Sequence, residues 1–271
     1  MKKASGSEFF YQLFSLLFAI IVVHAVYVTV IRPNAVAIQS QQQAHQQAGE
    51  NVIAQRSLYV VLKDFEQETC FILMLWALMI MSYKARLSLL EKHMLSQTML
   101  KIQPGASILP QDARNLCRPL QQLPPRQQQM LAPRTLLIAL QRFYATSSIA
   151  AVASAIKQIC DSETDKLDSE LAMIRYIAWA IPSIGFIGTV RGIGEALGQA
   201  HEAVQGNIIG VTNSLGIAFN STFVALVISI FIMFFSHQLQ LMQDRLVQHT
   251  QDYCDNNLLN HLANDTDEVS R

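Results

Sequence analysis

The chain has 271 residues, with 20 Lys plus Arg against 20 Asp plus Glu, 51% hydrophobic residues and only 15% charged. A soluble domain usually carries about 25% charged residues, so this balance argues against an ordinary water-soluble enzyme. A net charge of zero also removes the basic footprint needed to grip nucleic-acid phosphates. What is left is a membrane protein, because apolar residues in such excess are concentrated in a few stretches.

A helix crosses a bilayer core in roughly 20 residues. Phe9 to Ile31 meets that length with no formal charge, and Pro33 lies just beyond it. It is too long and uninterrupted for the apolar region of a signal peptide and reads as a retained span. The second stretch, Thr69 to Tyr83, is about 22 Å long as a helix and must borrow length from its flanks. Lys84 and Arg86 are placed to snorkel, letting the helix continue into Leu87 to Leu90. The third runs from about Tyr176 to Leu197, the fourth from about Ile208 to Phe235, and the small and polar residues between them make a hairpin. The segment Lys84 to Arg175 holds twelve basic residues against three in Arg32 to Glu68. The larger group belongs in the cytoplasm. Both termini are then cytoplasmic, and the Gln-rich Ser40 to Gln47 region and the hairpin turn face outward.

These readings predict an all-α integral membrane protein with four transmembrane helices and cytoplasmic helical extensions. Its divisions are an N-terminal transmembrane hairpin (1–83) with an outward loop (32–68), a cytoplasmic segment (84–173), a channel hairpin (174–236) and a cytoplasmic tail (237–271). Within the cytoplasmic segment, Leu87 to Ile102 reads as an amphipathic helix, Pro104 to Pro133 as a Pro/Gln-rich connector and Thr135 to Ser169 as one or two helices. The tail from His237 to about Ala263 has helical apolar spacing, and the final residues NDTDEVSR look frayed.

Catalytic and metal chemistry have no signature. Cys70, Cys117, Cys160 and Cys254 show no C-x-x-C spacing and read as structural. No H-E-x-x-H, Walker loop or G-x-S-x-G elbow is present. No enzyme activity, metal or cofactor is expected.

The last two spans carry hydroxyls and small residues instead. Gly185, Gly188 and Gly192 form a strip along which another backbone can approach closely. Thr189 beside that strip, and Asn220, Ser221 and Thr222 at comparable depth in the fourth span, are candidates for one polar seam. The alternative is that each hydroxyl bonds a carbonyl of its own helix. Arg191 and Glu195 lie at the outward mouth, four apart on one helix face, and read first as a mutual pair, then as contacts to lipid phosphate or a partner. His24 is the only titratable group deep in a span, and no carboxylate lies at mid-membrane.

The run Ile181-Pro182-Ser183-Ile184-Gly185-Phe186-Ile187-Gly188-Thr189-Val190-Arg191-Gly192-Ile193, followed about 25 residues later by a hydroxyl-bearing stretch of the next span, resembles the MotA/TolQ/ExbB proton-channel family over roughly residues 174–236. The resemblance implies a stator-type subunit of an ion-driven motor in the bacterial inner membrane. It further implies a homo-oligomer, a pentamer in this family, around a dimer of single-span MotB/TolR/ExbD-like partners that supply the missing Asp. By the same analogy Thr189 is pore-lining, with Thr222 or Asn220 as its fourth-span counterpart, and Pro182 kinks the third span. Arg191 departs from the family pattern, where this position is often apolar or aromatic. A non-conducting membrane scaffold, packed by the Gly strip and hydroxyls, is the competing reading.

Overall fold

The computed structural model describes residues 2–47, 57–97, 99–100 and 107–263. Its helices are α1 (Lys2–Val26), a π-helical turn (Tyr27–Ile31), α2 (Arg32–Gln47), α3 (Leu58–Leu62), α4 (Phe65–Leu95), α5 (Pro110–Gln121), α6 (Pro125–Gln128), α7 (Leu131–Thr146), α8 (Ile149–Glu170), α9 (Ala172–Gly198), α10 (Ala200–Val204) and α11 (Ile209–Asn257). Among the described residues there is no β-strand, only an isolated bridge between Ile108 and Leu262. Four helical stretches are long and apolar enough to cross a membrane: Phe9–Gln41, Phe65–Leu95, Ile149–Gly198 and Ile209–His261. The chain divides into two compact units, Met1–Ser82 with Met173–Ser236, and Tyr83–Ala172 with His237–Arg271.

In the first unit the helix does not stop at Pro33. Proline lacks an N–H and its ring crowds the carbonyl four residues back, so an α-helix running into it must yield locally. Here it yields by widening to the π turn Tyr27–Ile31, closed by the Arg32 N–H donating to the Tyr27 carbonyl, five residues back. The first helix is tied to α4 by the Trp76 indole N–H donating to Gln12 O at 3.0 Å and the Tyr11 hydroxyl donating to Met79 O at 3.2 Å.

The third and fourth spans pack by small residues. A Cβ placed at Gly185 would lie 2.4 Å from Ala225 Cβ, at Gly188 2.6 Å from Ser221 Cβ, and at Gly192 2.7 Å from the Ser214 carbonyl. The strip of glycines therefore meets a matching strip of Ser214, Ala218, Ser221 and Ala225, and the two backbones approach to a separation no larger side chain permits. Large apolar side chains take the opposite faces: Phe186, Ile187 and Val190 on α9, and Phe219, Phe223 and Ile230 on α11, are exposed. In water such a surface would aggregate; in hydrocarbon it is the favourable arrangement. The turn between the spans contains α10 and closes at Gly206, whose φ of +96° lies where side chains are rarely accommodated.

The second unit corrects two expectations. Much of the described part of the Pro/Gln-rich stretch is helical, because three of its prolines fall where helices tolerate them: Pro110 and Pro125 open α5 and α6, and Pro133 sits in the first turn of α7, while Pro119 lies inside α5 near its end. N–H groups of a first turn have no intrahelical acceptor, so proline costs nothing there. The part of the stretch before residue 107 lies outside the described residues. The Leu87–Ile102 helix is the end of α4 and stops at Leu95; residues 101–106 and the terminal NDTDEVSR are likewise outside the described residues. The second correction concerns Lys84. It does not snorkel: its side chain is only 4% exposed and its Nζ donates to Glu170 Oε2 at 2.7 Å. A buried ammonium is retained where a carboxylate meets it.

The core of this unit is built by Leu136, Leu140 and Phe143 of α7, Val152, Ile156 and Cys160 of α8, Ala113, Cys117 and Leu120 of α5, and Cys254 and Leu258 near the end of the chain. Arg134 and Lys166 converge on Glu163 at 2.7 and 2.8 Å beside it.

Two substitutions test this packing by thermal unfolding in detergent. Gly185→Leu forces α9 off Ala225 and lowers the midpoint by about 5 °C or more, whereas Gly194→Ala, where an added Cβ meets nothing within 4 Å, leaves it unlowered. Phe143→Ala, removing a fully buried ring, costs about 3–5 kcal/mol in the second unit.

Candidate functional site

Pro182 sits inside α9 and cannot donate to the carbonyl of Ala178. That carbonyl is not left empty: the Ser229 hydroxyl of α11 donates to it at 2.9 Å. About two turns on, Thr222 Oγ1 donates to Gly185 O at 3.1 Å and Thr189 Oγ1 lies 3.1 Å from Ala218 O and 3.3 Å from Gly185 O. The Thr189 and Thr222 hydroxyls also contact each other directly. Two helices that approach this closely bring each hydroxyl within reach of the other helix's backbone, so neither is confined to a carbonyl of its own helix.

The four candidates thus separate. Thr189 and Thr222 meet, both half-buried. Ser221 is fully buried, donates to Ile217 O at 2.9 Å and faces the space above Gly188. Asn220 is partly exposed on the preceding position.

The helix that begins the second span brings a further polar group that hydropathy alone does not reveal. Gln67, at 0% exposure, lies with its Nε2 3.1 Å from Val61 O and 3.4 Å from Ser221 Oγ. Glu66 packs its Cγ over Gly188 and receives the Arg191 guanidinium at 2.9 and 3.0 Å. Glu195 is only a secondary partner of Arg191, at 3.7 Å. The mutual pair expected from the i,i+4 spacing is therefore corrected: a partner on another helix presents both carboxylate oxygens, and a bidentate guanidinium contact outcompetes an exposed i,i+4 pair.

His24 also has a polar partner on another helix. Its Nδ1 lies 2.7 Å from Glu68 Oε1, and Arg32 donates to the other oxygen of the same carboxylate at 2.5 Å. Glu68 is buried, so carboxylates do pack among the helices of this unit. Asp64, one turn before Glu68, is half-buried; burial pushes its carboxyl above its ordinary value, against the opposing pull of Lys63 and Arg191. Nothing in the hydropathy of 64–68 marks these residues as packed. The available signal was the run of four polar side chains at 64 and 66–68, directly before a span. Among the described residues no group of three His, Cys, Asp or Glu is placed to hold a metal ion.

A hydroxyl pair of this kind can solvate a proton and hand it on, but it cannot store one as a charge near neutral pH. Glu66 and Glu68 at the start of α4 are paired with cations.

Comparison with known proteins agrees with that chemistry. Neither the curated proteins nor the solved structures contain a match to this chain. A family model described as the MotA/TolQ/ExbB proton channel family matches residues 127–252, which take in α7, α8, both helices of the hydroxyl-bearing hairpin and most of the rest of α11. Over this segment the chain is similar to the MotA/TolQ/ExbB proton channel family, and with four helices long and apolar enough to span a bilayer it is an all-α integral membrane protein.

Proposed function

We propose that this chain is the channel-forming, stator-type subunit of an ion-driven motor in the bacterial inner membrane, converting proton motive force into mechanical work. The observation that carries the reading is the Thr189–Thr222 hydroxyl contact between two antiparallel spans, inside the matched segment. Copies assemble as a homo-pentamer around single-span partners of the MotB/TolR/ExbD type, each bringing an Asp to the threonine pair. The partner's acid supplies what two hydroxyls lack, a group that holds a proton long enough for helices to move. The exposed apolar faces of α9 and α11 give neighbouring copies and lipid the surfaces they need. Basic residues set the orientation, with both termini and the segment 84–173 in the cytoplasm and the α9–α11 turn outside.

A scaffold reading has one observation in its favour: Thr189 and Thr222 also reach main-chain carbonyls, which is what packing alone would require. Flux separates the two. In vesicles holding the chain with a single-span partner of the MotB/TolR/ExbD type, an imposed proton gradient drives proton uptake; Thr189→Ala and Thr222→Ala each lower it by about 100-fold, in line with the loss of a proton-transfer group. Vesicles lacking the partner stay tight. Wild-type flux in both variants would leave the scaffold as the function.

A further inference from the structure

The polar group at the start of α4 contains two oxygens with no hydrogen-bond partner among the described residues. Gln67 is wholly enclosed, and while its Nε2 is within reach of Val61 O and Ser221 Oγ, its Oε1 has no hydrogen-bond partner. Asp64, whose carboxylate is hydrogen-bonded to the Gln67 side chain, also leaves its buried Oδ2 without one. A buried acceptor with no donor is costly, and two on neighbouring side chains call for a species that brings hydrogens: a proton on Asp64, a water or a hydronium. The other two acids of the group are already occupied, Glu66 by Arg191 and Glu68 by His24 and Arg32. Asp64 alone combines a titratable oxygen without a partner with a link, through Gln67, to Ser221, the residue beside Thr222.

We propose that Asp64 is a proton-accepting site supplied by this chain itself at the turn end of the hydroxyl seam, with Gln67 as the positioning residue that holds it against Ser221. The proposal rests on the proton-channel reading above and adds to it a second carboxylate, distinct from the partner's. A hydronium arriving from the outward aqueous phase gives its proton to Asp64 Oδ2 and leaves as water. The carboxylic acid then gives that proton to a water held between Gln67 Oε1 and Ser221 Oγ, and returns to the carboxylate. Only O–H bonds form and break, and no electrons are transferred. The charges facing Asp64 are Lys63 beside it, Glu66 on α4 and Arg191 on α9. Arg191, tied to Glu66, stays near enough to favour return of the proton from Asp64 without neutralising it permanently.

The test uses the full chain with its single-span partner in vesicles, measuring proton uptake against the pH of the outward face. Asp64→Asn keeps the hydrogen bond to Gln67 and removes the titration; Gln67→Leu keeps the volume and removes the link. Each lowers flux at least about tenfold while the complex elutes unchanged on gel filtration, and Asp64→Asn loses a titration step that the wild-type profile contains. Asp64→Glu restores flux with that step shifted in pH. Wild-type flux and an unaltered profile in Asp64→Asn and Gln67→Leu, with Thr222→Ala still blocked, would overturn the proposal and leave the channel reading standing. Wild-type flux in Thr189→Ala and Thr222→Ala as well would remove the channel reading itself. If Asp64→Asn does not assemble, Asp64→Glu decides: an unshifted profile counts against the site.

Discussion

The close approach of α9 and α11 is the constraint on which the rest of this structure depends. Gly185, Gly188 and Gly192 have no room for a Cβ against Ala225, Ser221 and the Ser214 carbonyl. With the backbones that near, side chains of two or three heavy atoms span the gap, and Thr189, Thr222 and Ser229 reach carbonyls across it. In a membrane the hydrophobic effect does not drive helices together, so packing and interhelical hydrogen bonds must do so. The same small residues that allow the packing also decide which polar groups are presented and to whom. Stability of the hairpin and placement of its hydroxyls are one feature.

Around that hairpin, charge is handled by compensation. Glu66 meets Arg191, and Glu68 meets His24 and Arg32, each joining a residue of one span to a residue of another. An isolated ion among apolar helices is expensive, whereas a bidentate or doubly paired one is tolerated and fixes the register of the helices that carry it. The first two spans are thereby keyed to each other by Glu68, and the second is keyed to the third by Glu66.

How much of this was legible in the amino-acid sequence depends on whether the signal is local. The four spans, the antiparallel hairpin and the glycine strip follow from hydropathy and from i, i+3, i+4 spacing, and α9 and α11 run over the predicted stretches. Thr189 and Thr222 were legible as members of a seam, since depth in a helix can be counted from its ends. Their direct contact was not, because helix rotation is set by what the opposite strip contains. The prolines misled: a density of Pro and Gln reads as a connector, and only the position of each proline within its helix shows that Pro110, Pro125 and Pro133 are initiators. The partner of Arg191 was misassigned for a related reason. Spacing reveals Glu195 on the same helix, but Glu66 is 125 residues away and is selected by tertiary packing alone.

Pro182 illustrates how these levels join. Its missing N–H frees the Ala178 carbonyl, and Ser229 takes that carbonyl from the facing helix. A break in the hydrogen-bond ladder of α9 is therefore repaired by α11, which makes the two helices interdependent about two to three turns from the threonine pair. A helix repaired by its neighbour is less able to move alone than one with a complete ladder of its own, because displacement would expose a buried carbonyl in hydrocarbon at a cost of several kcal/mol. A displacement of either helix must then carry α9 and α11 together as a pair, and the hydroxyls between them keep their spacing.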